Sequence, residues 1–346
     1  MHNYQMMPKV NLHHHLEGAV RPATFWEVCQ QYGLGTPVSS VEEAQTYLQV
    51  SGEEATLAAF LDRIHRSFLI SSYPGVMHRI AYESVADAAK QNIAYLEVRF
   101  GPSLHGTQGR SLEATMEEVL QGISEGERDF GTQTRLIVCA LRHLSFSENN
   151  EILRVATKYR DCGVVGFDIA GDEECYGADQ FRSLFHRAQD GGLGITVHAG
   201  EVGTADNIVA AITKLGASRI GHGIALVHRP DLVEPINASG ITLEVCPTSN
   251  VHTAAVSSLA EHPVRWLFDQ GVKLTIGDDD PTTSGISLSS EYQLLSDYFE
   301  FSDEVLSEFV LNGARASFLH SIEKQKLLDT LESALLQWRA NPTRGY

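Results

Sequence analysis

Short apolar, β-branched runs recur eight times along this chain, separated by amphipathic stretches of helical period. In order the runs read VNLHHH, IAYLEVRF, RLIVCAL, VVGFDIAG, GITVHAGE, RIGHGIAL, ITLEVCP and VKLTIGDDD. The segments between them include SLEATMEEVLQGISEGERDF, NNEILRVATKYRDCG, ADQFRSLFHRAQDGG and TADNIVAAITKLGA. Strands alternating with helices of that length indicate repeated β–α units around a parallel sheet. Eight units are the number that closes a (β/α)8 TIM barrel, whereas an open doubly wound sheet typically has fewer. The expected class is therefore α/β, with one barrel domain over residues 1–346. That length exceeds the usual single domain, but α/β barrels routinely do so.

The units are unevenly spaced. From the second strand onward they follow closely, but the stretch from Glu17 to Asn92 separates the first from the second. Helical patterns occur there at ATLAAFLDRIHRSFL and VMHRIAYESVADAAKQ. An excursion of this size after a barrel strand lies over the C-terminal mouth, so residues 18–91 are expected to form a lid or pocket wall. Within it Leu57, Phe60, Leu61 and Ile64 follow the i, i+3, i+4, i+7 rule of one helical face. Such a stripe is ordinarily core; in a lid it is expected to line the pocket. After Pro281 the chain reads as mostly helical to Tyr346, giving the last barrel helix and additional packing helices.

Lys and Arg number 26 against 44 Asp and Glu, a formal charge of −18. A surface of that sign repels phosphate backbones and anionic lipid, which disfavours nucleic acid and membrane as partners and suits a small neutral molecule. The start, MHNYQMMPKV, has no signal-peptide pattern, and no run approaches the roughly 18 apolar residues that span a bilayer. Cys29, Cys139, Cys162, Cys175 and Cys246 form no CxxC pair and are expected to be buried, reduced thiols of a cytoplasmic protein.

Chemistry in such a barrel gathers at the C-terminal ends of the strands, and the unusual polar residues of this sequence fall there. The first strand ends in His13, His14 and His15, and alternation puts His13 and His15 on one face with His14 on the other. The fifth ends in His198-Ala199-Gly200-Glu201, the sixth in Gly221-His222-Gly223 and the eighth in Asp278-Asp279-Asp280. Three imidazoles, His13, His15 and His198, with one carboxylate make a nitrogen–oxygen donor set suited to zinc or another late divalent ion. A catalytic ion of this type keeps one position open for water and lowers its pKa toward neutrality. His14 is expected to pack between strand and helix. For His2, His78, His186, His228, His262 and His320, on helices or loops, a solvated role is the default, while His143 and His252 follow the third and seventh strands near the mouth.

The segments PKVNLHHHLEGAVRP, IAYLEVRFGPSLH, VVGFDIAGDE, TVHAGEVG, RIGHGIAL, LEVCPTSN and GDDDPTTSG resemble the adenosine deaminase family of the amidohydrolase barrels. They occur in family order over nearly the whole chain. The resemblance implies one zinc ion on His13, His15, His198 and Asp279, and hydrolytic deamination of a 6-aminopurine nucleoside to the 6-oxo purine and ammonia. It implies that Glu201 is protonated and donates to the ring nitrogen beside the amino-bearing carbon. His222 would lie beside the attacking water, and Asp280 would contact both that water and the imidazole side of the purine. Gly171 would offer its backbone N–H to the pyrimidine side of the base, where a side chain would obstruct approach. The substrate wall would comprise His15, Glu17, Gly171 and Asp280 with the lid stripe.

Two departures bear on the substrate. Glu17 stands where adenosine enzymes of the family usually carry Asp, and one methylene extends its reach by about 1.5 Å. His252 stands where the nucleoside-specific branch often has Gln. Adenosine or 2′-deoxyadenosine is the primary expectation; adenine and aminodeoxyfutalosine are the alternatives. A binuclear amidohydrolase would commonly bring a Lys at the end of the fourth strand, where this chain has Asp168-Ile169-Ala170-Gly171. The small cytidine-type deaminases pair an HxE with a PCxxC; His15-Leu16-Glu17 has the first spacing, but no PCxxC accompanies it. A catalytically inactive ligand-binding barrel is the alternative of another class, but no implied ligand or acid is lost. Oligomeric state stays open.

Overall fold

A computed structural model describes residues 3–51, 56–105, 109–202 and 204–341; His2 lies outside them. Eight strands follow in chain order: β1 (Lys9–His15), β2 (Ile93–Phe100), β3 (Gln133–Leu141), β4 (Val164–Ala170), β5 (Gly194–Ala199), β6 (Arg219–His222), β7 (Thr242–Val245) and β8 (Lys273–Ile276). Each pairs in parallel with the next. The seam between β8 and β1 is joined by Asp279, whose N–H donates to the His13 carbonyl at 3.0 Å and whose carbonyl accepts from the His15 N–H at 2.8 Å. The barrel thus closes through the backbone of residues expected to bind metal.

Strands covered on both sides need apolar residues on both faces, which is why these runs are near-continuous in Val, Ile and Leu. The last three are shorter than their apolar runs suggest. After β6 the chain turns at His222 (φ 62°) and Gly223 (φ 70°) into a short 3-10 segment, Ile224–His228. Asp278, Asp279 and Asp280 lie past the end of β8, in the loop that follows it.

The stretch between β1 and β2 holds α1 (Pro22–Tyr32), α2 (Val41–Leu48), α3 (Leu57–Ser71) and α4 (Val76–Lys90). It divides into two parts. Helices α1 to α3 pack on one another, and α3 lines the cavity described below. Helix α4 is instead a wall helix, packed on β2 and on α5 (Leu112–Phe130). A Cβ at Gly122 of α5 would sit 2.2 Å from the His78 carbonyl, so this close helix crossing requires glycine.

The remaining wall and loop helices are α6 (Phe146–Lys158), α7 (Arg182–Asp190), α8 (Ala205–Leu215), α9 (Val233–Ser239), α10 (Pro247–His252), α11 (Val264–Asp269) and α12 (Pro281–Ser284). The chain continues through α13 (Leu288–Asp297), α14 (Asp303–Ala316) and α15 (Ser321–Ala340). Local signals set their ends. Ser145 and Glu148 form a reciprocal capping box at the start of α6, and Gly131 in the left-handed region ends α5.

Charges fill the lower part of the barrel. Arg99 bonds Asp168 at 2.7 Å and Glu244 at 2.6 Å, while Arg219 bonds Glu244 at 2.7 Å and Glu97 at 2.6 Å. All five side chains are essentially inaccessible to solvent. Beneath them Phe318 stacks on the Arg219 guanidinium at 3.7 Å and wedges against Gly166 and Gly194, which leave room for its ring. Cys29, Cys139 and Cys246 are buried, but Cys162 and Cys175, in the connections on either side of β4, are exposed. Among the described residues no helix is long and apolar enough to cross a membrane.

Candidate active site

Four side chains meet at the barrel mouth. His13 and His15 project from the same face of β1, His198 from the end of β5, and Asp279 from the loop after β8. The His15 and His198 Nε2 atoms are 3.1 Å apart, and Asp279 Oδ1 lies 3.2 Å from His13 Nε2 and 3.4 Å from His15 Nε2. One candidate atom from each of the four lies within 4.8 Å of all the others.

The outer ring nitrogens explain what this cluster needs. His13 Nδ1 is 2.9 Å from Glu244 Oε2, and His198 Nδ1 is 2.8 Å from Asp168 Oδ2. Burial opposes ionisation of both carboxyls, yet His198 and Arg99 hold Asp168, and Arg99 and Arg219 hold Glu244, below the usual range. A carboxylate can only accept, so Nδ1 carries the proton in each ring and Nε2 turns a lone pair inward. His13 Nε2 is buried with no hydrogen-bond partner. Lone pairs converging from these rings beside the Asp279 carboxylate suit a cation, and this nitrogen-rich donor set fits a late divalent metal. His222, Cys246 and Asp279 also lie near one another, but burial holds the Cys246 thiol well above its ordinary value and therefore protonated.

Glu201 sits on the loop after β5, and Glu173 aims it. The Glu173 carboxylate accepts from the backbone N–H of Gly200 at 2.8 Å, Glu201 at 2.6 Å and Val202 at 2.9 Å. Gly200 has φ 69°, and a Cβ there would lie 2.7 Å from Ile208, so the turn needs glycine. Burial, then the negative charges of Asp279 and Glu173, push the Glu201 carboxyl up to about 8. His222 Nε2 is 3.7 Å from Glu201 Oε2, and burial holds that imidazole well below its usual value. His222 and Asp279 (φ 54°) both occupy the left-handed region, a strain that a rigid surrounding must hold. Asp280 is buried with Oδ1 unpartnered, against a Gly18 whose Cβ would collide with it.

These groups open onto a cavity of about 270 Å³, the scale of one small ligand. Leu57, Phe60, Leu61 and Ile64 of α3 line it, together with Glu17 and Gly171. Gly171 has φ 104°, which keeps a side chain from that wall. Glu17 Oε1 accepts from the Gly101 N–H at 2.7 Å and lies 3.2 Å from His105 Nε2, while its Oε2 is buried and unpartnered. His143 lines the cavity; His252, on α10, does not. His14 points away from the cluster and bonds Asp278 at 2.9 Å.

Several residues of this site escape a reading of motifs. Arg99, Asp168 and Glu244 lie inside the apolar runs LEVRF, VGFDI and TLEVC. Their signal is the charge itself, since a lone ionisable group in a doubly covered strand is seldom buried unpaired. Ser249, which donates to Asp279 Oδ2 at 2.6 Å, and His262, buried where a solvated role was the default, carry no such mark.

Comparison with known proteins agrees with this geometry. The family described as adenosine deaminase matches residues 8–334. An adenosine deaminase of Shewanella denitrificans is 36% identical over 324 residues, covering 93% of this chain and 97% of that one. The solved adenine deaminase of Arthrobacter aurescens superposes with a TM-score of 0.88 at 27% identity, over 97% of this chain and all of that one. A Burkholderia ambifaria amidohydrolase with bound zinc gives 0.87 at 26% identity, over 98% and 94% of the two chains. With eight β–α units, three histidines and an aspartate gathered at the barrel mouth, and a family match over nearly its whole length, this chain belongs to the adenosine deaminase family.

Proposed function

We propose that the protein is a zinc-dependent hydrolase that removes the exocyclic amino group of a 6-aminopurine nucleoside, adenosine or 2′-deoxyadenosine, as ammonia. The observation that carries this reading is Glu201, an acid pushed up to about 8 beside three histidines and an aspartate at the floor of an apolar cavity. Zinc is favoured by the three-imidazole, one-carboxylate set and by the zinc bound in the Burkholderia relative. When bound, the ion supplies Lewis acidity that makes a water nucleophilic near neutral pH.

The chain's own groups perform the rest. Glu201, protonated at neutral pH, donates to the ring nitrogen next to the amino-bearing carbon and makes that carbon electrophilic. His222 and Asp280 flank the attacking water, and Gly171 leaves room for the base to approach. The α3 stripe covers the substrate and excludes bulk water. Glu17 Oε2 is an acceptor without a donor, suited to a hydroxyl or N–H of the substrate. Among the described residues no Lys or Arg lines the cavity to pair a phosphate, whereas the carboxylates of Asp172 and Asp279 do line it. That charge opposes a phosphorylated purine and favours a neutral one.

A second reading, the free base adenine, is favoured by Glu17 itself, which can accept from a ring N–H as readily as from a sugar hydroxyl. The test is a deamination panel with the zinc-loaded protein: adenine, adenosine, 2′-deoxyadenosine, AMP, S-adenosylhomocysteine, methylthioadenosine and aminodeoxyfutalosine. Adenosine or its deoxy form should rank first. Adenosine among the poorest would remove the nucleoside assignment, and no deamination of any of them would remove the chemistry.

A further inference from the structure

His222 is the end of a buried hydrogen-bond chain that begins at a backbone amide. The Val264 N–H, at the start of α11, donates to Nδ1 of His262 at 3.2 Å. A main-chain amide can only donate, so His262 accepts at Nδ1 and carries its one proton on Nε2. Burial keeps this ring neutral, pushed down to about 3. Nε2 of His262 lies 3.2 Å from Oδ1 of Asn250. With its oxygen committed to that proton, Asn250 turns its Nδ2 toward His222 Nδ1, 3.0 Å away. His262, Asn250 and His222 are at most 5% exposed, so water does not compete for these bonds. Each direction is fixed by the one before it, from an end where no ambiguity exists.

We propose that His262 and Asn250 are positioning residues that lock His222 in the tautomer protonated on Nε2. His222 then meets the attacking water as a hydrogen-bond donor and not as its proton acceptor, and the proton that the water loses goes to a carboxylate. This rests on the deamination reading above, in which His222 flanks the water. It also gives His262, in the loop just before α11 and outside the strand-end motifs, a function that its sequence position does not suggest.

Asn250→Asp tests the idea with an almost isosteric change. An aspartate accepts from both neighbours, so it draws the His222 proton onto Nδ1 and leaves Nε2 bare. The zinc-loaded variant should keep its metal content while kcat falls roughly 100-fold, the usual effect of losing one preorganised donor, with KM within about threefold. His262→Leu should lower kcat in the same way, and His262→Gln, which restores an N–H near the Nε2 position, should recover most of the loss. A kcat for Asn250→Asp equal to or above wild type would overturn the proposal, because it would mean that a bare Nε2 serves as base. The tautomer is read independently from hydrogen–nitrogen NMR of zinc-loaded protein with nitrogen-labelled histidine, His222 being assigned by its loss in His222→Asn. Wild type should show the proton on Nε2; a proton on Nδ1 would overturn the proposal even if a variant failed to fold. Absence of deamination by wild type would sink the functional reading alone, since the spectrum decides the tautomer without turnover.

Discussion

Glu201 is the residue on which pH acts most directly. Its folded-state value of about 8 lies above the ordinary 4.5 because burial and two neighbouring carboxylates oppose its ionisation. As an acid it is competent when protonated, so kcat should decline as pH rises through about 8. The same proton contributes stability that is fully present below 4.5 and is lost as pH rises through about 8. Glu201→Gln should retain bound metal but lose on the order of 10²- to 10⁴-fold in kcat, together with that alkaline limb; near-normal turnover would exclude it as the acid. At this scale the sequence is legible where a polar residue breaks the pattern at a strand end, as His13, His15, His198 and Asp279 do. It is opaque for Asp168 and Glu244, which hold two of those rings. Their runs look like ordinary strand, and only closure of the barrel shows which face they occupy and whom they meet.

Helix α3 joins a readable pattern to a function. Leu57, Phe60, Leu61 and Ile64 fall on one face by their spacing alone, and that face meets the cavity. Leu61 is half-buried, so Leu61→Ala removes ligand contact at little structural cost. Its KM should rise about tenfold, from the apolar area no longer covered, with a smaller change in kcat; an unchanged KM would place the substrate elsewhere. Helix α4 was less legible, because amphipathic spacing shows that one face is buried but not whether a lid or a barrel wall receives it.

Helix α13 carries a further titrating group. Glu291 accepts from the Thr248 N–H at 2.9 Å and from the Thr248 hydroxyl, and burial pushes it up to about 7. Raised above its ordinary 4.5, it gives stability that is complete below that value and disappears as pH rises through about 7. Denaturant unfolding should therefore show Glu291→Gln changing less than wild type between about pH 5 and pH 8.

Across the whole molecule, the donor cluster and the fold are coupled. Glu244 belongs both to the cluster, through His13, and to the charge chain that runs through Arg219 to Glu97. Stripping the ion should lower Tm by on the order of 5–10 °C, reversibly on adding zinc, as expected for a ligand held well above its dissociation constant. A melting curve indifferent to chelation would show that these four side chains hold no structural ion. Fold class was the most legible property at this scale, since eight β–α units leave little choice but closure. Which residues closed the seam was not, because the bond between Asp279 and β1 joins positions more than 260 residues apart in sequence.

The Phe318 and Arg219 plug below the cluster also governs traffic. An aromatic ring and a paired guanidinium fill the floor, so blocking the cavity that α3 lines should stop both arrival and departure. Water must enter, ammonia must leave and the spent purine must back out along one corridor. Turnover is therefore a queue: the next substrate waits until the last product has cleared the door.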